Sequence, residues 1–249
     1  MKKIPLILLP LLFPLFLWAQ GSEKAGHSRA EERLPSADQI LNQYVEALGG
    51  RAAAEKISTR VMQGTLLINN IGAAGKYEVL TKAPNHFRST ATFENFGITA
   101  EGFDGNTAWA VSPLVGVLGL VGQEKETLRR QADLLRNYNL KNLYAALNVR
   151  GKGNLEGKVV YILEAVPTGG TPETLFFDVG SGLLVRQDVQ RPAFEGNVTM
   201  ETYYEDYREI DGIKVPFQWR QFTPVYNLTI QFQQVQHNVP VEEGEFRKP

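Results

Sequence analysis

Four glycine-containing turn signals constrain the fold of this 249-residue chain more than any other feature. They are Asp104-Gly105, Glu156-Gly157, Gly180-Ser181-Gly182 and Asp211-Gly212, and short apolar runs flank each of them. Glycine adopts positive φ without steric cost and Asp closes its own backbone turn, so an Asp-Gly pair between apolar runs is a strong hairpin signal. The pattern predicts an antiparallel meander. Meanders curl, and the concave side of a curled sheet holds either packed side chains or a ligand.

Individual strands are predicted from the apolar alternation between turns. In the first half they cover residues 60–70, 76–82, 87–93 and 98–103, with a last stretch at 109–111. In the second half they cover residues 159–166, 175–179, 183–190, 198–208, 213–222 and 228–236. Both faces of 159–166 are apolar except for Glu164, so both faces are expected to be dry. The apolar positions change from even to odd residue numbers near Gln233-Gln234, which predicts a β-bulge there.

A helix is predicted to begin after Ser36. The Ser36 hydroxyl can cap the first turn while Gln39, three residues on, reaches back to the Ser36 backbone. The following apolar residues form one helical stripe, and Gly49-Gly50 ends it. We expect this helix to lie across one side of the sheet. The fold class is therefore mainly β, within α+β: a curled antiparallel sheet with an N-terminal helix.

An insert over about residues 112–147 interrupts the strands. Residues 113–122 are apolar, glycine-rich and uncharged, and favour neither strand nor helix. A helix is predicted over 123–138, because Leu128, Ala132, Leu135 and Tyr138 fall on one face. An uncharged segment of this kind must be covered, cover something, or touch a membrane or partner. We interpret the insert as a lid over a cavity, with simple core packing as the alternative.

The N-terminus predicts export. Lys2 and Lys3 precede an uncharged run over residues 4–19, and Ala19-Gln20-Gly21 supplies small residues for a signal peptidase, so residues 1–21 are predicted to be a signal peptide. A membrane anchor is the alternative, but such a run is shorter than the roughly 20 residues needed to span a bilayer, and prolines interrupt it. Residues 22–35 are predicted to form a disordered polar leader, and 36–249 a single domain.

Composition excludes several function classes. The chain has no cysteine, which rules out disulfides, thiolate metal sites, Cys nucleophiles and lipidation after the signal. Loss of the two signal lysines takes the formal net charge from -1 to -3, which does not suit nucleic acid. No other segment is apolar for about 18 residues. We therefore expect a soluble, monomeric protein in the periplasm, with secretion as the alternative.

Catalytic signatures are sparse. The three histidines, His27, His86 and His237, lack the spacing of metal ligands, and no nucleophile-elbow, P-loop or dinucleotide pattern occurs. Ser181 between two glycines fits a hairpin turn better than a nucleophile. A carboxylate-based hydrolase would need two acidic residues to converge in a cleft. The candidates for such a pair are Asp188, Glu201, Glu205 and Asp206. The prediction is a protein without enzymatic activity, cofactor or metal.

Several segments together resemble a known superfamily. They are Tyr44-Val45-Glu46-Ala47-Leu48-Gly49-Gly50, Phe103-Asp104-Gly105-Asn106-Thr107-Ala108-Trp109, Phe177-Asp178 with Ser181-Gly182-Leu183, Tyr204-Glu205-Asp206-Tyr207-Arg208 with Asp211-Gly212-Ile213-Lys214-Val215-Pro216, and Asn238-Val239-Pro240 followed by Phe246 and Pro249. In this order they resemble the LolA-like and LolB-like periplasmic lipoprotein carriers, above all the outer-membrane lipoprotein-sorting branch. The resemblance implies an unclosed barrel with helices plugging its mouth, and an apolar interior that receives acyl chains.

The leading hypothesis is an exported carrier or binder of acylated lipoprotein or lipid, acting without covalent chemistry. Its partners would be that ligand and an envelope membrane protein that loads or unloads it. Candidate ligand-contact residues, chosen by pattern, are Trp109, Leu114, Val117, Leu118, Leu120, Leu128, Leu135, Tyr161, Leu163, Phe176 and Trp219. The second hypothesis is an envelope structural module that docks a partner protein through a sheet edge or apolar loop. The carboxylate hydrolase is the third.

Overall fold

A single sheet of thirteen strands, each antiparallel to its neighbours, forms the body of the described protein. The computed structural model describes residues 33–193 and 196–249. Within it, Leu34–Pro249 cluster as one compact unit. The predicted signal peptide and most of the predicted leader lie outside the described residues. No helix in the described ranges is long and apolar enough to cross a bilayer.

The strands follow the chain as two meanders. The first comprises β1 (Thr59–Ile68), β2 (Ala73–Lys82), β3 (His86–Phe93), β4 (Gly97–Asp104), β5 (Ala108–Ser112) and β6 (Gly116–Leu120). The second comprises β7 (Ala146–Leu155), β8 (Lys158–Val166), β9 (Glu173–Asp178), β10 (Leu184–Ala193), β11 (Gly196–Ile210), β12 (Ile213–Phe222) and β13 (Asn227–His237). The four predicted turn signals connect β4 to β5, β7 to β8, β9 to β10 and β11 to β12, as expected.

The two meanders join through the first and the last strand of the chain, β1 and β13. In space the order is β6-β5-β4-β3-β2-β1-β13-β12-β11-β10-β9-β8-β7, so β1 pairs with β13 and all other pairs are hairpin neighbours. The two edge strands are β6 and β7, and they do not pair with each other. The predicted unclosed antiparallel barrel is therefore confirmed. The predicted bulge is also confirmed, because Gln63 pairs with Gln234 while the next residue, Gly64, pairs with Phe232.

Both edge strands were missed by the sequence prediction. β6 lies in the uncharged run assigned to the lid, and β7 overlaps the end of that insert. β6 shows no alternation, because its composition is apolar and uncharged throughout. β7 does alternate, with Leu147 and Val149 against Asn148 and Arg150, but glycines at 151 and 153 interrupt its apolar side. The expectation that both faces of β8 are dry is wrong as well. Val159 is 50% exposed, and Ile162 and Val166 are only partly buried.

The helices follow the prediction at the N-terminus and depart from it in the insert. α1 (Ala37–Ala47) has the predicted capping box, with the Ser36 Oγ accepting from the Gln39 backbone N–H. α2 (Arg51–Ala54) follows. α3 (Gly122–Ala132) ends six residues before the predicted limit, and a 3₁₀ turn (Arg136–Tyr138), α4 (Leu140–Leu143) and a C-terminal 3₁₀ turn (Glu243–Phe246) complete the set. At Asp133 the backbone is extended, and its carboxylate accepts from the Leu135 N–H at 2.8 Å, which stops the helix.

α1 covers one end of the curled sheet, which we call the capped end. The β9–β10 and β11–β12 turns meet the helix there: a Cβ on Gly182 would lie 3.3 Å from Ala47 Cβ, and the Lys214 N–H donates to the Leu48 carbonyl at 2.8 Å. Tyr44 is 1% exposed and packs edge-to-face on Phe177, with ring centroids 5.1 Å apart. The main hydrophobic core of the sheet continues from this contact.

The opposite end, which we call the open end, carries exposed apolar side chains. Antiparallel topology places the β1–β2, β3–β4, β5–β6 and β12–β13 turns together at this end. At or next to these turns, large apolar side chains face solvent, with Leu114 at the β5–β6 turn 94% exposed. The others are Leu67, Ile71, Phe96, Ile98, Val115, Val225 and Tyr226. Most exposed large hydrophobic side chains of the described residues therefore cluster at one end of the sheet.

Candidate functional site

A cavity of about 560 Å³ lies between the concave face of the sheet and the helices of the insert. Strands β1 to β5 form one wall and β9 to β13 the other. Most of the side chains that they contribute are apolar. Representative members are Met62, Leu66, Val79, Ala91, Val189, Met200 and Ile230. The volume lies within the range of about 300–1,000 Å³ that is usual for small-molecule sites.

The helical part of the insert covers this cavity. α3, the 3₁₀ turn and α4 cross the concave side from edge strand β6 to edge strand β7 and line the cavity with apolar and polar groups. Leu134, Leu140 and Leu143 are the apolar ones, and Thr127, Arg130, Gln131, Asp133, Arg136, Asn137 and Tyr144 are the polar ones. The predicted lid therefore needs correction. Only its helical part covers the cavity, whereas Gly116–Leu120 extends the sheet as β6 because its backbone pairs with β5.

A buried carboxylate, Glu173 on β9, holds the cover to the sheet. It accepts from Arg130 Nη2 on α3 at 2.6 Å, from the Tyr144 hydroxyl at 2.6 Å and from Gln187 Nε2 on β10 at 2.7 Å. Burial, together with the neighbouring Glu173, raises the pKa of the Tyr144 hydroxyl well above its usual range. The hydroxyl is therefore protonated and serves as a donor. Removing either partner of a buried ion pair leaves an uncompensated charge, so this contact is costly to break.

Gln187 links a second arginine to the same network. Its Oε1 accepts from Arg136 Nη2 at 3.2 Å and from the Tyr204 hydroxyl at 3.0 Å. Burial raises the pKa of the Tyr204 hydroxyl, which therefore also stays protonated. The network thus runs from the insert through β10 to β11. It places the Arg136 guanidinium in the wall of an otherwise mostly apolar cavity.

Arg60 on β1 is a further arginine in the cavity wall. Its Nε–H donates to His237 Nε2 at 3.0 Å, and His237 Nδ1 lies 2.9 Å from the Asp211 carboxylate. This arrangement requires a neutral imidazole with its proton on Nδ1. Burial, with the charge of Arg60, lowers the pKa of His237, in agreement with that tautomer. Burial also lowers the pKa of Arg60 to about 10, so Arg60 stays charged at neutral pH.

Trp219 on β12 brings an unused donor to the cavity. Its ring packs edge-to-face on Phe232, with centroids 4.8 Å apart, and on Tyr204, with centroids 6.1 Å apart. Its indole Nε1 is buried and has no hydrogen-bond partner among the described residues. Gln131 Oε1 on α3 is buried without a partner in the same way. Buried polar atoms of native proteins are nearly always paired, so unpaired ones beside a cavity indicate groups that a ligand could satisfy.

Trp219 is the one residue among the eleven predicted ligand contacts, all of which are described, that lines the cavity. Leu128 and Leu163 are fully buried in the core. Leu120, Leu135 and Tyr161 are partly buried and pack against it.

The remaining predicted contacts lie elsewhere. Trp109 is buried against the C-terminal 3₁₀ turn, where its Nε1–H donates to the Phe246 carbonyl at 2.8 Å. Phe176 carries the Arg186 guanidinium 5.0 Å above its ring. Leu114, Val117 and Leu118 are exposed. The actual wall therefore includes polar residues that the apolar search passed over.

Glu173 left a detectable signal in the sequence. Along β9 it shares a face with Leu175 and Phe177, so a carboxylate falls in phase with buried apolar residues. Such a residue must find a partner, which would have indicated a buried polar network. Arg136 left no comparable signal, because it lies within the predicted helix over 123–138 but outside its apolar stripe, where a charged residue is ordinary.

The four carboxylates of the hydrolase hypothesis are engaged by arginines outside the cavity wall. Asp188 and Glu201 both bind Arg186, at 2.6 and 2.7 Å. Glu205 binds Arg220 and Asp206 binds Arg208, each at 2.6 Å. Within the described ranges, no group of three or more His, Cys, Asp or Glu side chains is placed to hold a metal ion.

Solved structures share this architecture. A DUF1329 family protein from Desulfovibrio piger superposes with a TM-score of 0.58 at 15% identity, covering 84% of this chain and 96% of the other. A LolA superfamily protein from Nitrosomonas europaea superposes with a TM-score of 0.55 at 14% identity, covering 86% of this chain and 99% of the other. An outer membrane lipoprotein-sorting protein domain from Vibrio parahaemolyticus superposes with a TM-score of 0.54 at 12% identity, covering 85% of this chain and 97% of the other. No family model and no curated protein matches the sequence. The chain has a LolA-like fold.

Proposed function

We propose that this protein binds an acylated molecule, a lipid or the acyl chains of a lipoprotein, in the cavity and hands it on without covalent chemistry. The observation that carries the proposal is the mostly apolar cavity of about 560 Å³ between sheet and insert. Burying an acyl chain contributes about 0.8 kcal/mol per methylene, so such a cavity can bind one without catalytic groups. The LolA-like fold, shared with a lipoprotein-sorting domain, supports the same function.

The ligand would enter at the open end. The Glu173 network fastens the insert to β9 and β10, so the insert is the less mobile boundary. The cavity wall reaches the open end at Ser112, Tyr226 and Leu228, beside the exposed apolar turns. Release would depend on an acceptor with higher affinity, because a ligand moves a conformational equilibrium only through differential affinity. An envelope membrane protein is the proposed source or acceptor.

Export completes the proposal. A signal peptide over residues 1–21 would deliver a monomeric protein to the periplasm or outside the cell, where acylated molecules need a carrier through water. The proposed role needs neither cofactor nor nucleic acid.

Cavity filling tests this function. Ala91 lines the cavity and is buried, so Ala91→Phe places a ring where the acyl chain would lie. We expect uptake of a fluorescent fatty acid to fall at least about tenfold, since several buried methylenes would be excluded. Val159→Phe adds a ring at a half-exposed position of β8 outside the cavity wall and serves as the matched control. Equal uptake by both variants, each folded by circular dichroism, contradicts the proposal.

A second candidate function has its own observation. Edge strand β6 is uncharged and exposed, and it adjoins the apolar turns of the open end, which suits docking of a partner protein by strand addition. A photo-crosslinking residue in place of Leu118 on β6 would then capture an envelope protein that the same group in place of Arg150 on β7 does not. Equal capture from both edges contradicts a β6 docking role.

A further inference from the structure

We infer that the cavity accepts an amphiphile with an acidic group, a carboxylate or a phosphate, and that Arg136 binds this group. The inference rests on the proposed function, because it names the class of acylated molecule that the same cavity takes. It depends on three features of the wall: an excess of buried positive charge, an arginine with only neutral partners, and an unused donor beside it.

The positive charge in the network exceeds the negative charge. Arg130 and Arg136 both belong to it, whereas Glu173 is its single carboxylate. Glu173 already accepts from Arg130, Tyr144 and Gln187, so its oxygens are largely occupied. Over the whole cavity wall, four arginines (Arg60, Arg130, Arg136 and Arg191) face three carboxylates (Glu101, Asp133 and Glu173), so one positive charge is in excess. A buried charge without a partner is unfavourable, and an incoming anion would remove that cost.

Arg136 is the arginine of this network that makes no direct contact with a carboxylate; Glu173 acts on it only through space. Its partners are the Gln187 Oε1 and the Tyr204 hydroxyl, both neutral, and it forms no ion pair within the described ranges. The nearby Asp133 carboxylate accepts from the Leu135 N–H and from Asn139 Nδ2 instead. A guanidinium offers five N–H donors in a fork that matches carboxylate and phosphate oxygens. Most of those donors remain available to a ligand.

A second cation and a neutral donor strengthen the assignment. Arg60 also lines the cavity with a neutral partner, His237, and both arginines act electrostatically on the buried Tyr44 hydroxyl. The unpaired Trp219 Nε1–H lies next to Tyr204, which shares the Gln187 oxygen with Arg136. Donors and positive charge therefore converge around Gln187 and Tyr204 in the wall.

The test compares three ligands with the same sixteen-carbon chain at pH 8: hexadecanoate, hexadecyl phosphate and hexadecanol. Competition against a neutral fluorescent acyl probe measures affinity for each. The wild-type protein should bind at least one of the two anions about tenfold or more tightly than hexadecanol, as expected for a charge-assisted hydrogen bond in a buried site. The preferred anion then identifies the acidic group as carboxylate or phosphate.

Arg136→Gln should abolish the preference, so that neither anion binds more tightly than hexadecanol. Arg129→Gln is the matched control, because Arg129 is exposed on α3 and pairs with Glu126, and it should keep the preference. A preference that survives Arg136→Gln overturns the assignment of Arg136. Equal wild-type affinity for all three ligands overturns the inference but leaves the proposed function standing. If none of the three ligands binds, both the inference and the proposed function are wrong. The comparison of the three ligands on the wild-type protein tests the inference even if Arg136→Gln fails to fold.

Discussion

Hairpin turns form both ends of the sheet, but a helix covers the turns at one end and none covers those described at the other. At the capped end α1 presses on the β9–β10 and β11–β12 turns, and Tyr44 and Leu48 are buried there. At the open end four hairpin turns hold apolar side chains in water, with Leu114 the most exposed. Stability is therefore concentrated at the capped end, while the open end keeps apolar surface free for ligands or partners.

The largest expected difference between the ends comes from side-chain truncation. Tyr44→Ala should lower the free energy of unfolding by about 3–5 kcal/mol, because it removes a fully buried aromatic ring from the contact with Phe177. Leu114→Ala should change it by no more than about 0.5 kcal/mol, since the side chain is almost fully exposed. Urea unfolding of both variants measures the two values. Similar losses in the free energy of unfolding for the two variants would contradict the difference between the capped and open ends.

Glycine substitutions should show a smaller contrast. Gly49 has φ of +108°, and a Cβ there would lie 2.1 Å from the Gly212 carbonyl oxygen, so Gly49→Ala should cost about 2–4 kcal/mol through strain and displaced backbone. Gly72 at the open end has φ of +66°, and a Cβ there would meet no atom within 4 Å, so Gly72→Ala should cost only about 1–2 kcal/mol. Thermal and urea unfolding would reveal the difference. An equal cost would mean that α1 does not rest tightly on the β11–β12 turn.

The N-cap of α1 should contribute about 1 kcal/mol to the capped end. Ser36→Ala removes the hydroxyl that accepts from the Gln39 N–H, and losses of this kind are about 0.5–2 kcal/mol. Ser36→Asp retains a capping oxygen and should stay close to the wild type. If Ser36→Ala unfolds at the wild-type urea midpoint, α1 is held by its packing alone.

The smallest expected effect is a dependence of stability on pH. Because the folded protein lowers the pKa of His237, it binds fewer protons there than the unfolded chain. The stabilisation that comes from this lowered pKa is complete above the pKa of His237 in the unfolded chain, about 6.5, and is lost as the pH falls below that value. Unfolding between pH 7.5 and 5 should therefore show a steeper loss in the wild type than in His237→Gln. Parallel curves would show that His237 is not held neutral at the capped end.

Local signals were enough to predict most of the fold. The Asp-Gly turns, the strand alternation and the Ser36 capping box each depend on residues close in sequence, and the structure contains them all. Strand β6 could not be predicted, because its pairing with β5 overrides a composition that favours neither strand nor helix. The end of α3 was missed because Asp133 stops the helix by a side-chain hydrogen bond despite continued apolar spacing.

The candidate site was harder to predict than the fold. Apolar character does not separate a core residue such as Leu163 from a wall residue such as Val189, since both lie on the concave face. The polar wall depends on residues distant in sequence, as with Arg130 and Glu173, which are 43 positions apart. Only the folded sheet shows which of them meet at the cavity.

The pairing of β1 with β13 has a consequence for how the chain reaches this structure. Arg60 and His237, opposite each other in the centre of the sheet, are 177 residues apart. The central strand pair therefore closes only after the second meander has been synthesised, and such high contact order slows folding. Until then β1 is a free edge that can pair with another chain. Chaperone binding to that unpaired strand would protect newly made protein better than binding to any surface of the finished one.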